Sequence, residues 1–180
     1  MKKAILPLVI LTSLLASCGQ QTFTSQATND TTTSAESIQA QAIGPCTTYV
    51  NYGPPAPACS SSQLDLVNRA GNLFTNSGLS GGEKHMTIGV TKYQGSYYAS
   101  MYYDPAYPSA LTKIRAAARR AGYGWVPPQN YVHAEQRLYN SFGNQISQIG
   151  ISNPNGPCGT CKTNVGNKGI SISWIPGKYW

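Results

Sequence analysis

Acidic and imidazole side chains are scarce in this chain: Asp and Glu total 6 against 13 Lys and Arg, and there are 2 His. So few carboxylates exclude an acidic recognition face, and they make a Glu close to a His unlikely to be incidental. No apolar run is long enough for a membrane-spanning helix; the longest, Ala4 to Leu15, is too short to cross a bilayer. Large apolar residues are nearly missing between the leader and Gly44, where Gln, Thr, Ser and Ala dominate, which excludes a packed core there.

The leader reads Met1-Lys2-Lys3, an apolar stretch, then Leu15-Ala16-Ser17-Cys18-Gly19. Charge, apolar segment and small residues in that order define an export signal, and the last run resembles a bacterial lipobox, in which Cys18 takes the lipid. The expectation is an exported protein held to the membrane or cell surface through its lipid alone. Residues 1–18 are then signal, 19–44 a tether, and 45–180 one folded domain.

The cysteine count of 5 fits this division. With Cys18 lipidated and a metal pair further on, Cys46 and Cys59 remain, in a Pro-rich stretch of an exported chain where a disulfide can form and persist. The net charge of +7, or +5 without Lys2 and Lys3, points to a polyanionic partner. Lys113, Arg115, Arg119 and Arg120 gather on one predicted helix and offer phosphate contacts or, equally, a solvated basic face.

Local patterns give the order of elements. Ser62-Gln63-Leu64-Asp65 reads as a capping box, with apolar residues at helical spacing from Leu64 to Gly78. A hairpin follows, its first strand on Met86, Ile88 and Val90, its turn at Gln94-Gly95 and its second strand over Tyr97–Tyr103. A helix runs from Ser109 to Gly122. After Pro127 and Pro128 another starts at His133 and ends at Gly143. Gln145–Ser152 and Gly169–Ile175 read as strands around a helix opened by Cys158, so a parallel pair is expected, with both ligand-bearing helix starts at one end of the sheet. His85 opens a strand on this reading and has no liganding neighbours.

The chemistry concentrates in two motifs. His133-Ala134-Glu135 and Pro157-Cys158-Gly159-Thr160-Cys161 together supply a His, two Cys three apart and a carboxylate. Three protein ligands, His133, Cys158 and Cys161, leave the fourth position of a tetrahedral zinc site open, as catalysis requires. Glu135 would move protons. A C-x-x-C alone also serves redox dithiols and structural zinc sites; Pro157, suited to helix entry, and the His-x-Glu add to the metal reading.

These residues carry the H-x-E and P-C-x-x-C signature of zinc nucleobase deaminases. The chain resembles the cytidine deaminase-like superfamily. Asn153-Pro154-Asn155-Gly156-Pro157-Cys158-Gly159-Thr160-Cys161 is similar to the N-P-x-G-x-C-x-x-C run of the DddA-like bacterial DNA cytosine deaminases, a toxin group. That resemblance implies an α/β, three-layer fold, a mixed sheet with helices on both faces; the chain departs from the pattern in stopping after one more strand beyond the Cys158 helix, an expected shortening at the C-terminus. It also implies Zn2+ held by His133, Cys158 and Cys161, Glu135 as proton shuttle, and conversion of cytosine to uracil in nucleic acid, with DNA favoured over RNA. A toxin role would bring an immunity protein as partner. Candidate substrate contacts are Tyr131, Trp125 and Asn153 near the motifs, and Arg115, Arg119 and Arg120. Tyr97, Tyr98, Tyr102 and Tyr103 read mainly as sheet residues, with stacking on an extruded base as the lesser alternative. The competing functions are an exported thiol oxidoreductase on Cys158 and Cys161, a noncatalytic lipoprotein stabilised by zinc, and a free-nucleoside deaminase, which the charge and export disfavour.

Overall fold

Ser60 starts the first helix because its hydroxyl accepts the Gln63 N–H at 3.3 Å while the Gln63 side chain accepts the Ser60 N–H at 2.7 Å. This reciprocal cap satisfies two free donors at once. It stands two residues before the expected box, since Asp65 instead pairs with Arg69 at 2.8 Å. In the computed structural model, residues 45–50 and 57–180 are described; the expected signal, lipidated Cys18 and tether lie outside them.

The strands are β1 (Thr47–Tyr49), β2 (Ile88–Tyr93), β3 (Ser96–Met101), β4 (Gly124–Trp125), β5 (Gln148–Ile151) and β6 (Ser171–Trp174). The helices are α1 (Ser61–Asn76), α2 (Pro108–Arg120), α3 (Ala134–Phe142) and α4 (Gly159–Asn164). The strands form one sheet in the order β1-β6-β5-β2-β3-β4. It is mixed: β5 and β6 run parallel, as do β3 and β4, and the remaining neighbours are antiparallel. The expected parallel pair across α4 is thus present.

Helices cover both faces, and strand alternation decides which. Ile88 and Val90 of β2 face one core with Leu66, Ala70, Leu73 and Phe74 of α1 and Ile114 of α2. Ile149 and Ile151 of β5 face the other, with Leu138 of α3 and Cys161 of α4. Two glycines set how closely the helices lie. A Cβ on Gly150 would stand 2.3 Å from the Leu66 carbonyl carbon, so α1 rests directly on β5; one on Gly89 would stand 3.1 Å from the Ala134 Cβ, so the start of α3 rests on β2. That second contact places the His-x-Glu motif over the sheet.

Several bounds differ from expectation for local reasons. Met86 and Thr87 precede β2, because Gly81–His85 forms a 3-10 turn that His85 closes instead of opening a strand. β5 begins at Gln148 after another such turn over Gly143–Gln145, and β6 is shorter at both ends than Gly169–Ile175. The hairpin turns at Gln94-Gly95 as expected, with Gln94 itself at φ 47°. β1 and β4 have no counterpart in the expected order.

Cys46 and Cys59 are joined, Cα atoms 5.3 Å apart and 13 residues apart in sequence, and pin β1 beside the start of α1. Closing so short a loop restricts the unfolded chain by about 3 kcal/mol. The double variant Cys46→Ser, Cys59→Ser is expected to lose about 3 kcal/mol of stability in urea unfolding while still binding metal. No loss would show the bridge to be idle.

Candidate metal centre

His133 and Cys158 sit at helix entrances because their own backbones begin those helices, and Cys161 lies in the first turn of the second. His133 is the N-cap of α3, extended at φ −67° and ψ 149°, and its carbonyl accepts the Arg137 N–H at 3.0 Å. Cys158 is the N-cap of α4, and its sulfur accepts the Cys161 N–H at 3.4 Å. The parallel arrangement of β5 and β6 returns α4 to the end of the sheet where α3 starts.

There the ligand atoms of His133, Cys158 and Cys161 all lie within 4.8 Å of one another. The Cys158 Sγ is 3.8 Å from His133 Nδ1 and 4.0 Å from Nε2. Tetrahedral zinc with ordinary Zn–S and Zn–N bonds separates such donors by about 3.6 Å. The spacing therefore fits a metal ion, and both cysteines are free thiols. His133 and Cys158 are half-buried while Cys161 is fully buried, so the group opens to solvent on the His133 and Cys158 side. Among the described residues, no other His, Cys, Asp or Glu joins the group.

Glu135 lies just inside. It is 2% exposed, and its Oε2 has no hydrogen-bond partner. A buried carboxylate oxygen left unpaired costs stability unless something absent from the protein chain satisfies it, which is what a cation with its bound water would do. Burial pushes the Glu135 carboxyl above its ordinary range. Burial also pushes the Cys161 thiol up strongly, aided by the neighbouring Glu135 carboxyl. Both groups thus favour their protonated forms in the bare protein, and a divalent cation would reverse both preferences.

Tyr102 was not anticipated here. Its ring centroid is 5.3 Å from that of His133 and 6.3 Å from that of His85. Tyr102 follows directly on the end of β3 at Met101, in phase with Tyr98, which packs on Phe142 of α3; that phase is the signal that could have found it. The other strand tyrosines are structural, as expected: Tyr97 donates to Asp65 at 2.9 Å under the Arg69 guanidinium, and Tyr98 packs on Phe142. His85 sits apart from the metal group, 3.6 Å from Asp104.

The expected substrate contacts divide by position. Tyr131, two residues before His133, is 64% exposed and has φ 58°. A bulky residue in that region costs of order 1 kcal/mol, so the exposed Tyr131 is held against backbone preference. Asn153 turns the chain after β5, its Oδ1 accepting the Asn155 N–H at 2.9 Å. It also lines a cavity of about 520 Å³ with His85, Thr87, Pro154 and Trp180 at the same end of the sheet. Arg115, Arg119 and Trp125 line a different cavity, of about 580 Å³, between α2 and β4. Arg120 is turned away, donating to the Asn76 carbonyl at 3.1 Å. Lys113 leaves the basic cluster altogether: it pairs with buried Glu83 at 2.6 Å and, with Ser109, holds that carboxyl down to about 2.

No family model, curated protein or solved structure matches this chain.

Proposed function

We propose that the protein is a zinc-dependent deaminase that hydrolyses cytosine to uracil in nucleic acid, most readily DNA, on a three-layer deaminase-like fold. One observation carries the reading: three metal-type donors, with no fourth joining them among the described residues, converge within 4.8 Å near a buried carboxylate with an unpaired oxygen. A structural zinc site would close its fourth position with a protein ligand, and a redox dithiol would leave Glu135 and His133 without use.

Zinc held by His133, Cys158 and Cys161 would supply a water acidic enough to react near neutral pH. Glu135, buried beside that group, would take a proton from the attacking water as its oxygen bonds to C4 of the base. Protonated Glu135 would deliver that first proton to the ring nitrogen; the carboxylate so regenerated would take the second proton from the C4 hydroxyl and pass it to the departing amine, so that water and cytosine become uracil and ammonia. The site admits a base only if it is extruded from its stack, and Tyr131, exposed and two residues before His133, is the ring we assign to stack on it.

The test is incubation of the zinc-loaded protein with cytosine-containing single-stranded DNA, duplex DNA and RNA, reading uracil and ammonia. Uracil above a metal-stripped control supports the reading. No uracil with any substrate, zinc remaining bound one to one, would move the site to a structural role. Tyr131→Ala is expected to weaken turnover at low substrate roughly five- to a hundredfold, the value of one stacked base, with zinc content unchanged. Tyr131→Phe should retain most of it. Equal rates for the alanine variant and the native protein would remove Tyr131 from the substrate path.

A further inference from the structure

Most basic side chains of the folded domain that stand near α1 and α2 are committed to the protein itself. Arg69 pairs with Asp65 and lies 3.7 Å above the Tyr97 ring, Lys113 pairs with Glu83, and Arg120 donates to the Asn76 carbonyl. Arg115 and Arg119 differ. One helical turn apart on α2, both exposed, they have no ion-pair or hydrogen-bond partner among the described residues. They flank the cavity of about 580 Å³ whose other walls include Leu111, Thr112, Tyr123 and Trp125, with no Asp or Glu among its lining residues.

From this we infer that the α2–β4 edge is a binding face for single-stranded nucleic acid, separate from the metal centre. Two free guanidinium forks match phosphates, and Tyr123 and Trp125, on either side of Gly124, are half-buried and line the same cavity; the Tyr123 hydroxyl is held by Arg69 at 2.9 Å, which leaves Trp125 as the ring for stacking. Unpaired guanidinium groups beside aromatic rings bind a strand by phosphate contact and base stacking together. A duplex presents its phosphates but keeps its bases stacked inside, so only a single strand uses both halves of the site. An acidic peptide or an anionic surface would use the arginines alone.

The chain itself connects this face to the metal centre. β4 runs parallel to β3, with Trp125 opposite Ala99, and an isolated pairing farther along sets Asn130 opposite Tyr103. Four residues of strand cover about 13 Å, and His133 follows three residues after Asn130. A strand lying along this edge therefore leads toward the ligand group and would hold the nucleotides flanking a target base. That placement rests on the deaminase reading; the affinity for a strand does not.

The test uses the full chain with Glu135→Gln added to stop turnover, and fluorescence anisotropy with labelled 12-nucleotide probes of single-stranded DNA, single-stranded RNA and duplex DNA, and labelled heparin. Native binding is expected to favour the single strands over duplex and heparin. Arg115→Gln with Arg119→Gln should weaken single-strand binding at least tenfold. It should also flatten the slope of log affinity against log salt by about 1.4, the loss of two single-strand phosphate contacts. Trp125→Ala should weaken it roughly five- to a hundredfold, and Trp125→Phe, which keeps a stacking face, should restore most of the loss. Lys168→Gln, which removes an exposed charge beside β6, should leave it unchanged. Unaltered affinity and slope in the double arginine variant, or equal losses for heparin and single strands in Trp125→Ala, would overturn the inference. Probe binding that falls in these variants while the Glu135-containing protein makes no uracil keeps this face and rejects the deaminase reading. Uracil formation with unimpaired probe binding in the variants does the reverse.

Discussion

Replacing Glu135 by Ala is expected to lower cytosine deamination by at least 10²–10⁴-fold, the usual contribution of a positioned general acid–base group, while zinc stays bound one to one. The separation of the two readouts follows from geometry. Glu135 stands outside the group formed by His133, Cys158 and Cys161, so its removal takes no donor from the metal. It does take away a buried carboxylate oxygen that lacks a partner. Glu135→Gln sharpens the test, because it keeps the shape and loses only the ability to accept a proton; it too should be inactive. Deamination at the native rate in either variant would sink the mechanism. Loss of zinc along with activity would instead make Glu135 part of the metal's own support.

The site was readable because its parts are local. His133 and Glu135 are two apart, Cys158 and Cys161 three apart, and each pair starts a helix whose entrance the flanking prolines announce. Their convergence was inferable from one further step, the strand, helix, strand order that makes β5 and β6 parallel. What could not be read depends on distant partners. β1 has three residues and exists because β6 accepts it, with Thr48 and Ser173 hydroxyls 2.9 Å apart across 125 residues of chain. β4 has two residues and is defined by β3. Lys113 counted as a free charge until Glu83, 30 residues earlier, took it into an ion pair. Tyr102 belonged to an ordinary alternating strand until the start of α3 brought His133 against its ring. Periodicity reports which face a residue takes, and the neighbour across that face settles its role.

Zinc is expected to stabilise the protein by an amount that grows with pH. Ions at a hundred times their dissociation constant raise stability by about 2.7 kcal/mol in any system of this type. Here the sign of the pH effect follows from two shifted groups. Cys161 must give up its proton to ligate, and burial with the nearby Glu135 carboxyl favours keeping it, so below its raised pKa each pH unit gains about tenfold in affinity for every thiol proton released. The bare protein moves the other way. Glu135, raised by burial, contributes stability that is complete below the ordinary carboxyl value of 4.5 and declines as pH rises toward its shifted value. Melting temperatures of zinc-loaded and chelator-treated protein should therefore diverge from pH 5 to pH 8. Glu135→Gln should flatten the decline of the chelator-treated protein, and Cys161→Ser should abolish the zinc-dependent rise. A gap in melting temperature that stayed constant over that range would mean that no thiol proton leaves on binding, and His133, Cys158 and Cys161 would not be the ligands.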